Sequence, residues 1–181
     1  MTIPTLAADR FVLRAFRESD VPALTALHGD PEVMRYLRPG GAAETSPRQA
    51  WEYIAIVMGH WLLKGYGKWA MADRKTDELI GRVGYYDAPY EWPGLELGWT
   101  ISRRLWGPGY ATEAAQLALT WGFETLDTDE IISAINPNNA PSIRVAERLG
   151  ERHVRDDVMH GAPCRIYAMT RDEWHARLAG T

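Results

Sequence analysis

The apolar positions of the chain recur with two periods, and the change from one to the other divides it into elements. Residues 10–16 alternate polar and apolar, as a strand with one buried face does. Ser19 or Asp20 can cap the next helix, whose first turn tolerates Pro22. Its apolar side is Leu24 and Leu27, continued by Val33, Met34 and Leu37. Residues 38–46, with Pro39, Gly40 and Gly41, read as a loop. Ser46 then caps a helix with Pro47 in its first position, running through Trp51, Ile54, Ala55, Met58 and Leu62 to a stop at Gly65. Strands follow at 68–73 and 79–86, joined by a polar turn at 74–78 into a hairpin. After a loop at 87–94, a second alternating run covers 95–101. A basic, glycine-containing turn at 104–109 opens a long helix through Ala114, Ala115, Leu117, Ala118, Leu119 and Trp121. The chain closes with a strand at 130–135, a helix at 143–149 ended by Gly150, strands at 154–159 and 165–169, and a helical turn or two at 171–178. The order β-α-α-β-β-β-α-β-α-β-β, with hairpins in the first half, implies a mixed sheet rather than a doubly wound parallel one.

Composition acts mainly by exclusion. A length of 181 residues suits one domain spanning 1–181 with a proper core. A formal net charge of −4 speaks against a nucleic-acid face, which needs a basic surface. No run of about 18 apolar residues is present, and residues 1–10 lack the features of a signal peptide, so a cytoplasmic protein without membrane contact is expected. Cys164 has no partner for a disulfide and reads as a packing residue. His28, His60, His153, His160 and His175 show no metal-ligand spacing, so no metal is expected.

The turn at 104–109 is where the chemistry concentrates. A helix N-terminus offers unpaired N–H groups and a partial positive charge. Glycines there let a phosphate approach the backbone, because no Cβ intervenes. Gly107-Pro108-Gly109 therefore reads first as an anion cradle. A P-loop would continue into Lys-Ser or Lys-Thr, whereas Tyr110 and Ala111 follow here. A dinucleotide fold would need a third glycine where Thr112 stands, and an early βαβ unit that the first half lacks. What remains is Arg-x-x-Gly-x-Gly, matched by Arg104, Gly107 and Gly109. With that turn, and with segments 10–20, 30–34, 95–101, 104–113, 136–150 and 166–174, the sequence resembles the GNAT superfamily of acetyl-CoA-dependent N-acetyltransferases. Within it, the likeness is to the Rim-type branch of ribosomal-protein N-terminal acetyltransferases.

The resemblance implies an α/β (α+β) fold: a mixed, mostly antiparallel sheet of about seven strands flanked by about four helices, splayed at an acetyl-CoA cleft. It implies that the N–H groups of Trp106, Gly107, Gly109, Tyr110 and Ala111 hold the CoA pyrophosphate. Pro108 has no N–H to give. Thr112 would add a hydroxyl and Arg104 a charge. Trp99, Thr100 and Ile101 would pair their backbone with the pantetheine arm as with an added strand, and Gly98 in mid-strand fits such an approach.

Acetyl transfer to an amine needs a base, because an α-amino group titrates at about 7.7–8.0 and a lysine at about 10.4. Glu96, on the strand face of Gly98, is the candidate, acting through a water, against the plainer role of a solvated carboxylate or ion pair. Many family members use a tyrosine as acid, and its position here is Ala146. Asn136, Asn139 and Ser142 match the Asn-x-x-Asn-x-x-Ser of the Rim-type branch instead. That match implies a CoA contact for Asn139 and a proton or hydrogen bond to the CoA sulfur from Ser142, beside the ordinary use of both residues as helix caps. Trp51, Trp61, Trp69, Tyr85, Tyr86, Tyr90 and Trp92 read as packing residues, some of them lining an acceptor pocket. The acceptor is an amine, either a protein N-terminal α-amine or a small molecule, and a homodimer is compatible with the resemblance. A non-catalytic acyl-CoA-binding sensor is the alternative from another class.

Overall fold

In the computed structural model, residues 2–37, 41, 43, 45–88, 92–159 and 161–180 are described. The loops expected at 38–46 and 87–94 fall partly outside them, and Tyr90 and His160 wholly so. One sheet carries the fold, built from β1 (Leu6–Ala7), β2 (Phe11–Arg14), β3 (Lys68–Asp73), β4 (Leu79–Tyr86), β5 (Glu96–Ile101), β6 (Glu130–Ile135), β7 (Arg152–Met159) and β8 (Ala162–Thr170). The spatial order is β1-β2-β3-β4-β5-β6-β8-β7. All neighbours run antiparallel except β5 and β6. The helices are α1 (Val21–Gly29), α2 (Pro31–Met34), α3 (Pro47–Lys64), α4 (Tyr110–Thr125), α5 (Ala140–Leu149) and α6 (Arg171–Ala179). Among the described residues no helix is long and apolar enough to cross a membrane.

The eight strands and six helices among the described residues lie close to the expected seven and four. The added strand is the two-residue edge β1, too short to leave an alternating pattern in the sequence. Helix α5 begins at Ala140, three residues before its apolar stripe, because Asn139 accepts a hydrogen bond from the Ser142 N–H (3.3 Å) and thereby caps the helix. The outer edge β7 is almost wholly exposed and carries Arg152, His153, Arg155, Asp156 and Asp157. Charges of this kind keep an unpaired edge from recruiting another strand.

The main core lies between the sheet and its helices. Trp61 of α3, Trp69 of β3 and Tyr85 of β4 are fully buried and meet Trp121 of α4, with ring centroids 4.9–6.3 Å apart. These indole and phenol rings are packing, as three of the seven expected aromatics were read. Trp51, by contrast, is half exposed.

Candidate active site at the splay of β5 and β6

Strands β5 and β6 touch at one end only. Glu96 is aligned with Ile132, whose N–H donates to the Leu95 carbonyl at 3.0 Å. Helix α4 connects the two strands, as a parallel pair requires. Beyond that contact the strands diverge, and a cleft of about 460 Å³ opens between Trp99–Ile101 on one side and α5 on the other. Helices α4 and α5 each follow one of the diverging strands, so both N-termini open onto the cleft with their partial positive charges.

The glycine turn leads into α4 as expected, with a correction at Trp106 and Arg104. Gly107 (φ +101°) and Gly109 (φ +86°) take left-handed backbone, which glycine adopts without a Cβ clash. Among the described residues, the N–H groups of Gly107, Gly109, Tyr110, Ala111 and Thr112 have no backbone acceptor, and all five residues line the cleft. Trp106 does not supply a free N–H. Its backbone donates to the Arg103 carbonyl (3.1 Å) within a short helical turn, and its indole N–H donates to the Ile101 carbonyl (2.9 Å). Arg104 is also turned elsewhere, in an ion pair with Glu78 (3.0 Å). Arg10 braces the turn from outside: its Nη1 donates to the Pro108 carbonyl (3.1 Å), its Nε to Glu113 (3.0 Å), and its guanidinium lies 4.0 Å above the Tyr110 ring.

A second correction concerns the strand. The Ser102 N–H donates to the Ile80 carbonyl (2.9 Å), and the alternation of an antiparallel ladder then turns the backbone groups of Thr100, Gly98 and Glu96 toward β4. The backbone of Thr100 is therefore used inside the sheet. Trp99 and Ile101 face the cleft, where the N–H and C=O of Trp99 and the N–H of Ile101 remain for a ligand. Cations that sequence reasoning missed complete the wall. Arg144 and Arg148 stand four residues apart on α5, and Arg35 faces them from the end of α2. The spacing of the α5 pair was a visible signal, since residues four apart share a helix face.

A smaller recess of about 190 Å³ adjoins the cleft and shares Tyr36, Leu37, Trp99, Thr100, Asn139 and Ser142 with it. Glu96, Gly98, Asn136, Lys68, Arg82 and Trp92 are among its other lining residues. Glu96 and Ser142, 46 positions apart in the chain, thus border one space. The Trp92 indole donates to Glu96 Oε2 (3.1 Å) and fixes that side of the carboxylate. Ser142 is half-buried, with its N–H on the Asn139 cap. Ala146 is fully buried against Ile135 and Tyr167 and offers nothing to the cleft.

The splay point itself is held by a chain of hydrogen bonds. Ser133 of β6 donates through Oγ to the Leu97 carbonyl of β5 (3.0 Å), and the same oxygen lies 3.0 Å from Glu151 Oε1. Ser133 has one proton, so it donates to one of these two oxygens at a time. Burial pushes the Glu151 carboxyl up to about 8, opposed by the Ser133 hydroxyl, and so keeps the carboxyl protonated at neutral pH. In the unfolded chain Glu151 ionises near the ordinary glutamate value, so the native state holds an extra proton between that value and about 8. The stabilisation is full below the unfolded value and is lost as pH rises toward 8, at about 1.4 kcal/mol per unit. Glu151→Gln, which is neutral and still a donor, should abolish this decline. Thermal unfolding at pH 5 and pH 8 checks it: a pH-dependent loss of equal size in both proteins would refute the protonated acid.

Comparison with known proteins adds the following. Residues 10–152 match the family described as acetyltransferase (GNAT) domain. The protein YkkB of Bacillus subtilis (strain 168) is 32% identical over 166 residues, 90% of this chain and 93% of that protein. The uncharacterized N-acetyltransferase p20 of Bacillus licheniformis is 30% identical over 145 residues, 80% of each chain. Among solved structures, RimL, a ribosomal-protein α-N-acetyltransferase in complex with coenzyme A, superimposes with a TM-score of 0.78. That superposition covers 94% of this chain and 99% of that one at 17% identity, a likeness of fold.

Proposed function

Because the chain belongs to the acetyltransferase (GNAT) domain family, we propose that it moves the acetyl group of acetyl-CoA directly to a primary amine in the cytoplasm, without an acyl-enzyme. The acceptor is a protein N-terminal α-amine or a small-molecule amine. The observation that carries this reading is the meeting of two spaces at the splay. One is lined by free backbone N–H groups and arginines, and the other by Glu96. Five orphan N–H groups at a helix start suit a pyrophosphate, and Arg144 and Arg148 supply charge for phosphate. The open backbone of Trp99 and Ile101 suits an amide-bearing arm laid alongside as a further strand.

Acetyl-CoA supplies an activated thioester: the C–N bond forms as the C–S bond breaks. Glu96 takes a proton from the acceptor ammonium through a water and so frees the lone pair that attacks the thioester, and the Trp92 indole keeps its carboxylate in place. Ser142 gives a proton or hydrogen bond to the departing sulfur, from the first turn of a helix whose dipole favours the thiolate. Holding the two reactants in register accounts for much of the acceleration.

The test combines calorimetry with CoA and a broad amine and peptide screen that follows CoA release. Absence of CoA binding would remove the whole reading. Binding without turnover on any amine would favour an acyl-CoA sensor. Ser142→Ala should lower kcat about tenfold, the scale of one lost hydrogen bond to a charged group, with less than a threefold change in CoA Kd. An unchanged kcat would dismiss Ser142 as the acid.

A further inference from the structure

The recess beside Glu96 holds more positive charge than acetyl transfer to a simple amine requires. On the antiparallel ladder, Arg82 of β4 stands opposite Thr100 of β5, and Lys68 of β3 is in line with Gly84 and Gly98. Directly opposed residues of neighbouring strands share a face, so Lys68, Arg82 and Thr100 look out on the same side as Gly98 and Glu96. All five line the recess.

Arg82 and Thr100 lack a natural partner among the described residues, and Lys68 has only the attraction of Glu96 across the recess. Arg82 is only 8% exposed, yet its Nε donates to an imidazole nitrogen of His28 (3.2 Å) and its guanidinium stacks over the Tyr53 ring at 4.9 Å. Among the described residues no carboxylate lies within ion-pair distance of it. The Thr100 hydroxyl, on a residue 5% exposed, has no hydrogen-bond partner among the described residues. The Lys68 ammonium sits 5.3 Å from the Tyr86 ring and forms no ion pair among the described residues. Burial first, then repulsion from Arg82, lowers it to about 8 against the pull of Glu96. A buried guanidinium without a carboxylate is costly unless something anionic comes to it. An orphan hydroxyl next to it asks for an acceptor oxygen.

The space between these groups and Glu96 is open. A Cβ added at Gly98 would meet only Glu96 Oε1, at 3.7 Å. Thr100 and Glu96 are four residues apart on one strand, so their backbones lie about 13 Å from one another, and the side chains reach inward from both ends. The recess, about 190 Å³, has the volume of about six water molecules, which suits a small acceptor.

We infer that Arg82, Thr100 and Lys68 form a carboxylate subsite, and that the acceptor is a small primary amine carrying a carboxylate, of the free amino acid class. The carboxylate meets the guanidinium and the hydroxyl, and the amine is thereby turned toward Glu96. A protein N-terminus has an uncharged amide in place of that carboxylate and leaves the subsite empty. This inference rests on the acetyl-transfer reading, and its test separates the two.

The probes are the twenty free L-amino acids and their carboxamides, with N-terminal tetrapeptide amides as a third arm. Each is titrated calorimetrically into the CoA-loaded protein and assayed for CoA release from acetyl-CoA. At least one amino acid should bind and react tenfold or more better than its carboxamide. Arg82→Met should bring that ratio near one, Arg82→Lys should keep part of it, and the near-isosteric Thr100→Val should reduce it several-fold. The subsite is overturned by a wild-type ratio of one or less, by tetrapeptide amides outcompeting every amino acid, or by a ratio that survives Arg82→Met. It is likewise overturned if Arg82→Met weakens CoA as much as the amino acid, because Arg82 would then serve the CoA side. Carboxylate-selective binding without acetyl transfer would uphold the subsite and sink the transfer reading. Transfer to carboxamides and acids alike would do the reverse.

Discussion

Glu96→Gln should lower kcat at neutral pH by about 10²–10³-fold while CoA affinity stays within twofold. The substitution keeps the length of the side chain and an oxygen that can accept from the Trp92 indole, so the geometry at β5 is preserved. What it removes is the ability to take a proton. An amine with a pKa of about 8 or above is mostly protonated at pH 7, and without a base only its small neutral fraction can attack. The loss should therefore shrink as pH rises, roughly tenfold per unit until the free amine dominates. A pH series of single-turnover rates for the two proteins makes the comparison. A flat ratio across the series, or a rate equal to that of the unaltered enzyme at pH 7, would rule Glu96 out as the base.

The second large effect concerns stability. Gly122→Ala, a one-methyl change on α4, should destabilise the fold by about 3 kcal/mol, the upper range for overpacking a core. An added Cβ would stand 2.0 Å from Tyr85 Oη and 2.6 Å from its Cζ. Tyr85 cannot simply swing away. Its hydroxyl donates to the Ala118 carbonyl (2.8 Å), and its ring is wedged between Trp69, Trp121 and Tyr66 in a fully buried position. Moving it would leave that carbonyl unpaired in a dry core as well. For a chain of this length the loss corresponds to a fall of about 6–12 °C in Tm. Tyr85→Phe in the same background removes the nearest clashing atom, so the double variant should be more stable than the sum of the two single changes. Strict additivity would show that the strain lies elsewhere. CoA affinity should fall with stability, because α4 presents the N–H groups of the cradle and Tyr85 is the ladder neighbour of Leu97.

Much of this architecture was legible before any coordinates. Lys68–Asp73, Leu79–Tyr86 and Glu130–Ile135 occupy the residues expected of strands, because short apolar runs bounded by polar turns form strands buried on both faces. Gly65 and Gly150 end their helices in the left-handed conformation that only glycine takes freely. Elsewhere the pattern misled. Residues 140–142, expected only to lead into a helix starting at Ile143, are already the first turn of α5, with Asn139 as its cap. Capping and turn chemistry use the same residues, and only the direction of the following chain separates them.

The candidate site divides along the same line. The cradle at Gly107–Ala111 and the placement of Glu96 on an inward strand face are local facts, written in residues within one turn or one pleat of each other. The sequence alone therefore determined the elements, the glycine turn ahead of α4 and the likeness to acetyltransferases. Which N–H groups stay free was decided by the tertiary structure, which assigns the Trp106 N–H to Arg103 and the Thr100 backbone to β4. So was the gathering of Lys68, Arg82, Thr100 and Ser142 around Glu96. These residues are spread over 75 positions, from 68 to 142, and only the register of three strands and the splay of a fourth bring them together. Side-chain periodicity shows which face a residue occupies, but not which residues of other strands will share it.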